Sequence, residues 1–126
     1  MLNVGITNTM SRIVTEDMTA RKAGSGELDV LATPAVIALV EETAWRAVSQ
    51  YLEDGMGTVG TLINIQHTAP TPVGKTVTCT VKLTEIDRRR LVFDITAADD
   101  CGEIACGIHE RFIVDNEKFQ AKANSK

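Results

Sequence analysis

Acid–base chemistry in this chain can come from two histidines, His67 and His109, and from one carboxylate set into an apolar run, Glu41. His67 closes an alternating apolar stretch just before Ala69-Pro70-Thr71-Pro72. A strand end there presents its imidazole to a cleft, where it can act as a general base; a purely structural histidine is the alternative. Glu41 follows Ala35-Val36-Ile37-Ala38-Leu39-Val40. A carboxylate in such surroundings is costly unless it is paired or functional. Thr33, ahead of Pro34, reads as a helix N-cap. The same position sets a hydroxyl beside free helix N–H groups, which favour anions and developing oxyanions. On a regular helix Thr33 and Glu41 lie about 12 Å apart along the axis. They meet at one site only if the helix start bends or a second subunit contributes.

Other features point to chemistry less specifically. Gly55-x-Gly57-x-x-Gly60 has the letters of a dinucleotide fingerprint, but it follows a helix and opens a strand, the reverse of what that motif needs. Gly60 falls inside the strand, where a glycine marks close approach of a ligand or another backbone. His109 opens His109-Glu110-Arg111 on the last strand and reads as part of a charged outer face with an ion pair. Lys75 and Arg88 to Arg90 are basic and able to meet phosphates. Cys79, Cys101 and Cys106 are odd in number and fit no zinc spacing, so they read as reduced thiols in a cytoplasmic protein without a metal.

These residues need elements to hold them. The chain has 126 residues, the size of one domain spanning residues 1–126. Thirteen Lys and Arg against seventeen Asp and Glu give a net charge of −4, which argues against nucleic-acid binding. No apolar run approaches the ~18 residues of a membrane helix, and no secretory signal pattern opens the chain. With aromatics at 4%, aliphatic residues must build the core. A strand is expected within residues 11–20 and a loop over 21–31. A helix is expected from Pro34 to Tyr51, apolar on every side in its first half and therefore buried. Strands follow over 58–68, with Val59, Thr61, Ile63, Ile65 and His67 on one face, and over 76–86, with Val77, Cys79, Val81 and Leu83 inward. Leu91, Phe93, Ile95 and Ala97 mark the next strand. Ile104, Cys106, Ile108, Phe112 and Val114 mark the last, ahead of a polar, frayed tail over 115–126. Short links imply an antiparallel meander wrapped around one helix, an α+β hotdog fold, and the open sheet edge implies a homodimer.

The run Val30-Leu31-Ala32-Thr33-Pro34, then Leu39-Val40-Glu41, Thr58-Val59-Gly60-Thr61, His67-Thr68-Ala69-Pro70-Thr71-Pro72-Val73-Gly74 and His109-Glu110-Arg111-Phe112 resembles hotdog thioesterases of the fluoroacetyl-CoA thioesterase type. The resemblance covers about residues 10 to 118. It implies Thr33, Glu41 and His67 as the catalytic set, Gly60 beside the substrate through its backbone, and Arg111 near the site. Glu42 is adjacent, but the eight-residue step from Thr33 favours Glu41. No aromatic residue precedes Trp45, so the 21–31 loop has no aromatic lid to offer, and only the acyl-CoA class carries over. The expected activity is hydrolysis of a small or medium acyl-CoA to free acid and CoA, with no cofactor and no membrane or nucleic-acid partner. Thr33, Glu41 or a water is the nucleophile. The alternatives are a non-catalytic hotdog protein that binds an acyl thioester or another apolar ligand, and a dehydratase or hydratase on the same fold.

Overall fold

The computed structural model describes all 126 residues. Strand β1 (Thr7–Ile13) leads through a single 3-10 turn at Glu16–Met18 and the short helix α1 (Ala20–Ala23) to the long helix α2 (Thr33–Ser49). Strands β2 (Met56–His67), β3 (Thr76–Asp87), β4 (Arg90–Asp99) and β5 (Gly102–Asp115) follow, and helix α3 (Asn116–Asn124) ends the chain. All strands join one antiparallel sheet in the order β1-β3-β4-β5-β2. The α+β class with one long helix against an antiparallel sheet is as expected. No helix is long and apolar enough to cross a membrane.

Only β3, β4 and β5 form a meander. The proline-containing link after β2 does not make a hairpin but carries the chain from one edge of the sheet to the other side of β4 and β5. Strands β1 and β2 are left as the two edges.

Strand β1 begins four residues earlier than the 11–20 window suggests. Its inward positions hid it, because two of them are polar. Asn8 Nδ2 donates to the Thr43 carbonyl at 3.1 Å, and Arg12 pairs with Glu42 at 2.6 Å, so both are satisfied against α2. The chain end differs as well. Residues 116–124 are helical rather than frayed, because Asp115 caps them by accepting from the Lys118 N–H at 3.1 Å.

Helix α2 buries Val36, Leu39, Val40, Thr43, Ala44, Ala47 and Val48 on the sheet, a stripe at the 3.6-residue period. The sheet covers this stripe only. Pro34, Ala38 and Trp45 are exposed and Ile37 half-buried, so the expectation of a helix covered on all sides fails for a single chain. Val77, Cys79, Val81 and Leu83 of β3 and Leu91, Phe93, Ile95 and Ala97 of β4 complete the core beneath it. All three cysteines are free; Cys79 lies in that core.

Two expected strand faces need correction. In β2 a bulge between Gly60 and Leu62 reverses the alternation, so Thr58 and Gly60, rather than Val59 and Thr61, share a face with Ile63, Ile65 and His67. In β5 the inward residues are Ala105, Gly107, His109 and Arg111, each paired across from an inward residue of β4. Ile104 and Val114 are buried as expected, but Ile108 and Phe112 face outward and are exposed.

Candidate active site

The approach to α2 is pinned by main-chain bonds. The Leu31 N–H donates to the Thr71 carbonyl and the Ala32 N–H to the Met18 carbonyl, both at 2.8 Å. This places Ala32, not Thr33, at the N-cap, and Thr33 in the first turn. The expected capping hydroxyl is therefore absent, and the Thr33 side chain is free for another partner. Thr33 Oγ1 lies 2.8 Å from His67 Nδ1. His67 ends β2, held opposite Ala105, and the next N–H, that of Thr68, donates to the Ile104 carbonyl at 2.8 Å. Pro34 has no N–H, and the N–H groups of Ala35 and Val36 both go to the Ala32 carbonyl, so the Thr33 N–H stands outside the helix's own ladder. A cleft of about 290 Å³ opens over this pair, walled by Ala20, Ser25, Val30, Ala69 and Pro70. The 21–31 segment contributes small and aliphatic groups and no ring.

His67 Nε2 is buried and has no hydrogen-bond partner within the chain. A buried polar nitrogen left unpaired costs about 1–3 kcal/mol. When Nδ1 accepts the Thr33 proton, as a base must, Nε2 carries the hydrogen and calls for an acceptor.

A second cluster surrounds Glu41. Its Oε2 accepts from Arg111 Nη1 at 3.2 Å, while Oε1 makes no hydrogen bond. The Glu41 side chain is 42% exposed and that of Arg111 only 6%. Arg111 is held on both flanks: Nε donates to Thr58 Oγ1 at 2.8 Å, Nη2 to the Thr58 carbonyl at 3.0 Å, and Nη1 also lies 3.1 Å from His109 Nε2. Burial pulls the Arg111 pKa down from its usual range, and the Glu41 carboxylate opposes that. Gly60 is where the Glu41 carboxylate rests. A Cβ there would stand 2.5 Å from Glu41 Oε2, 3.3 Å from Arg111 Nη1 and 3.4 Å from His109 Cε1.

Thr33 with His67, and Glu41 with Gly60 and Arg111, thus form two groups two helical turns apart. No hydrogen bond or ion pair joins them within one chain. Glu42 points elsewhere and pairs with Arg12 and Arg46. His109 is not on an outer face: it is fully buried and stacked on Phe93, with ring centroids 6.2 Å apart. Burial, and next the Arg111 charge against a raising pull from the Leu62 carbonyl bond, hold its pKa below the usual 6.5. Thr58, the clamp on Arg111, stands in the Thr58-Val59-Gly60-Thr61 run that carries the resemblance, but the sequence assigns it no role. The signal that places His109 and Arg111 inward is register, since they stand opposite the plainly inward Phe93 and Leu91.

Of the basic residues, Arg90 is taken up by Glu85, Asp87 and Glu110, and Lys75 lies 3.7 Å from Asp100, which leaves Arg88 and Arg89 without ion pairs. Asp99, Asp100 and Cys101 gather three potential ligand atoms within 4.8 Å in the β4–β5 turn. Asp99 is already engaged there by Thr71 and the Cys101 N–H.

Residues 14–117 match the family model described as fluoroacetyl-CoA-specific thioesterase. A fluoroacetyl-CoA thioesterase from Streptantibioticus cattleyicolor is 44% identical over 98 residues, covering 78% of this chain and 70% of the relative. A solved structure of a fluoroacetyl-CoA thioesterase superposes with a TM-score of 0.94 at 39% identity, covering 100% of this chain and 98% of its own. A hot-dog-like protein from Thermanaerovibrio acidaminovorans shares the fold with a TM-score of 0.89 at 23% identity, over 98% of this chain and 92% of its own. Sheet and helix are thus those of a hotdog protein, and the chain belongs to the fluoroacetyl-CoA-specific thioesterase family.

Proposed function

We propose that this protein hydrolyses acyl-CoA thioesters to the free acid and CoA. The observation that carries the reading is the 2.8 Å contact between Thr33 Oγ1 and His67 Nδ1 at the mouth of a cleft. His67 takes the proton of the oxygen nucleophile, either the Thr33 hydroxyl or a water held in its place. That oxygen adds to the thioester carbonyl, and the oxyanion develops beside the α2 N-terminus and the Thr33 N–H. The C–S bond then breaks, and His67 returns its proton to the departing thiolate. If Thr33 is the nucleophile, water hydrolyses the acyl-threonine by the same route. The reaction needs no cofactor, because CoA is part of the substrate. The lidless cleft suits small or medium acyl groups rather than fluoroacetyl alone. The unpaired cysteines suit a cytoplasmic setting.

The working unit in this proposal is a homodimer with a composite site. Thr33 and Glu41 are each four residues from Ile37, at the middle of the uncovered α2 face. A two-fold axis there, with the helices antiparallel, sets Thr33 and His67 of one copy opposite the partner's Glu41. The free Oε1 of that carboxylate is then an acceptor for the unpaired His67 Nε2. The β2 edge gains a neighbour in the same step.

Incubation with acyl-CoA thioesters of graded chain length and a thiol reagent tests the activity. Thiol release is expected. Binding with the thioester intact would turn the assignment to a binding protein, and loss of water without thiol release to a dehydratase. Mixing inactive His67→Ala and Glu41→Gln chains through an unfolding–refolding cycle tests the composite site. Random pairing repairs one of two sites in half the dimers, so about a quarter of wild-type activity returns. No recovery from refolded dimers, or a stable monomer by light scattering, would refute it.

A further inference from the structure

His109 is a fully buried histidine that the reaction as derived above does not use. Its hydrogen bonds fix its chemical state. Nδ1 lies 2.8 Å from the Leu62 carbonyl, which can only accept, so Nδ1 carries the hydrogen. Nε2 lies 3.1 Å from Arg111 Nη1, which can only donate, so Nε2 must present a lone pair. The ring is therefore locked neutral in one tautomer. A second proton would set two donors against each other beside a buried guanidinium. The charged groups near the ring are Arg111 on its own strand, Glu41 from α2 and the neighbouring Glu110.

The consequence falls on Arg111. Nε and Nη2 are anchored on Thr58, and the two hydrogens of Nη1 are divided between His109 and Glu41. Because the guanidinium is planar, an acceptor for one Nη1 hydrogen sets the direction of the other. Remove that acceptor and the plane is free to roll about its Thr58 anchors, taking the half-exposed Glu41 carboxylate with it.

We propose that His109 is a positioning residue for thioester hydrolysis: as a fixed neutral acceptor it sets the roll of Arg111, which aims the Glu41 carboxylate into the site. The proposal rests on the functional reading above, in that Glu41 works in that site.

The test compares His109→Leu, which removes the acceptor, with His109→Gln, whose amide oxygen can restore one to Arg111. For His109→Leu kcat is expected to fall by about ten- to a hundredfold with KM changed little, since misplacement by about 1 Å carries a cost of that order. His109→Gln recovers most of the loss. Nitrogen NMR of the wild-type protein is expected to show Nδ1 protonated and Nε2 bare at neutral pH, a readout independent of turnover. Wild-type protein with that tautomer but no thiol release would fail the functional reading and not the network. The opposite tautomer would overturn the proposal. So would a folded His109→Leu enzyme with near wild-type kcat, or a folded His109→Gln enzyme with kcat reduced as far as the proposal requires of His109→Leu. If His109→Leu does not fold, His109→Gln and the tautomer decide.

Discussion

Gly60→Ala separates the site from the scaffold. The added Cβ would stand 2.5 Å from Glu41 Oε2, where ordinary contact begins at 3.4 Å, so the carboxylate must retreat by 0.9 Å (3.4 − 2.5) or more. Its bond to Arg111, 3.2 Å long, is then lost or badly stretched. The fold need not suffer. The three nearest atoms belong to side chains, and Glu41 is 42% exposed and free to swing toward solvent. Leaving the 6% exposed Arg111 without its anion costs about 1–3 kcal/mol, while its bonds to Thr58 remain. Alanine's lower unfolded-state entropy offsets about 0.4–1 kcal/mol of that. Melting temperature should therefore fall modestly while the protein stays folded. Catalysis should move a great deal: displacing a working group by about 1 Å costs on the order of 10²-fold in rate. Thiol release and thermal unfolding of Gly60→Ala, alone and combined with Glu41→Gln, measure both. In the Glu41→Gln background the alanine should cost little further activity, because the group it displaces is already disabled. Near wild-type kcat in a folded Gly60→Ala protein would refute the argument. A full loss that persists beside Glu41→Gln would show that Gly60 acts on something other than Glu41.

Glu41→Gln should lose at least about 10²-fold in thiol release. Glu42→Gln should keep activity and cost at most about 1 kcal/mol in chemical denaturation, because Glu42 only bridges Arg12 and Arg46 near the surface. His67→Ala should lose at least ~10²-fold in thiol release with folding intact. Stability should depend on pH through His109. Burial holds its folded pKa below the 6.5 of the free side chain, so above 6.5 both states are neutral and stability is full. As pH falls below 6.5 the unfolded chain takes up the proton first, and stability drains away until the folded value is passed. Denaturation at pH ~7 and ~5 should show this loss in wild type and a smaller one in His109→Gln; equal losses would mean that other groups carry it.

Where inward residues were apolar the sequence was easily read. Strands β3 and β4 alternate plainly because Val77, Cys79, Val81, Leu83, Leu91, Phe93, Ile95 and Ala97 all face the core. Helix α2 was legible from Thr33-Pro34 and its aliphatic run, although the cap moved one residue back once the Ala32 N–H found the Met18 carbonyl. The pairing of Thr33 with His67 joins positions 34 residues apart, and nothing in composition or periodicity reports it; the family resemblance named both. Strand β1 failed for the opposite reason, since its inward Asn8 and Arg12 look like surface residues until α2 supplies their partners.

Strand β5 shows why the failures and the function coincide. Ile104 faces the core as expected, but judged alone Cys106, Ile108 and Phe112 should do so too, and His109 and Arg111 should face the solvent. Pairing decides otherwise, because residues directly opposite in an antiparallel ladder share a face, and Arg111 and His109 stand opposite Leu91 and Phe93. A one-residue slip of β5 against β4 would bring Phe112 inward, but β2 is in register with β5, so Ile63 and Ile65, opposite His109 and Gly107, would leave the core with them, at up to roughly 1.5–3 kcal/mol for each large apolar side chain. The register therefore forces a guanidinium and an imidazole under the helix, where they survive only with partners. Thr58, the Leu62 carbonyl and Glu41 supply them. Glu41 is the only anionic member and the only one with an unused oxygen at the uncovered face. The core chemistry that makes Arg111 tolerable is thus also what holds a carboxylate with an unused oxygen at the uncovered helix face, where the proposed composite site needs one. The polar residues that obscured the strand's pattern are the ones that fix the Glu41 carboxylate in place.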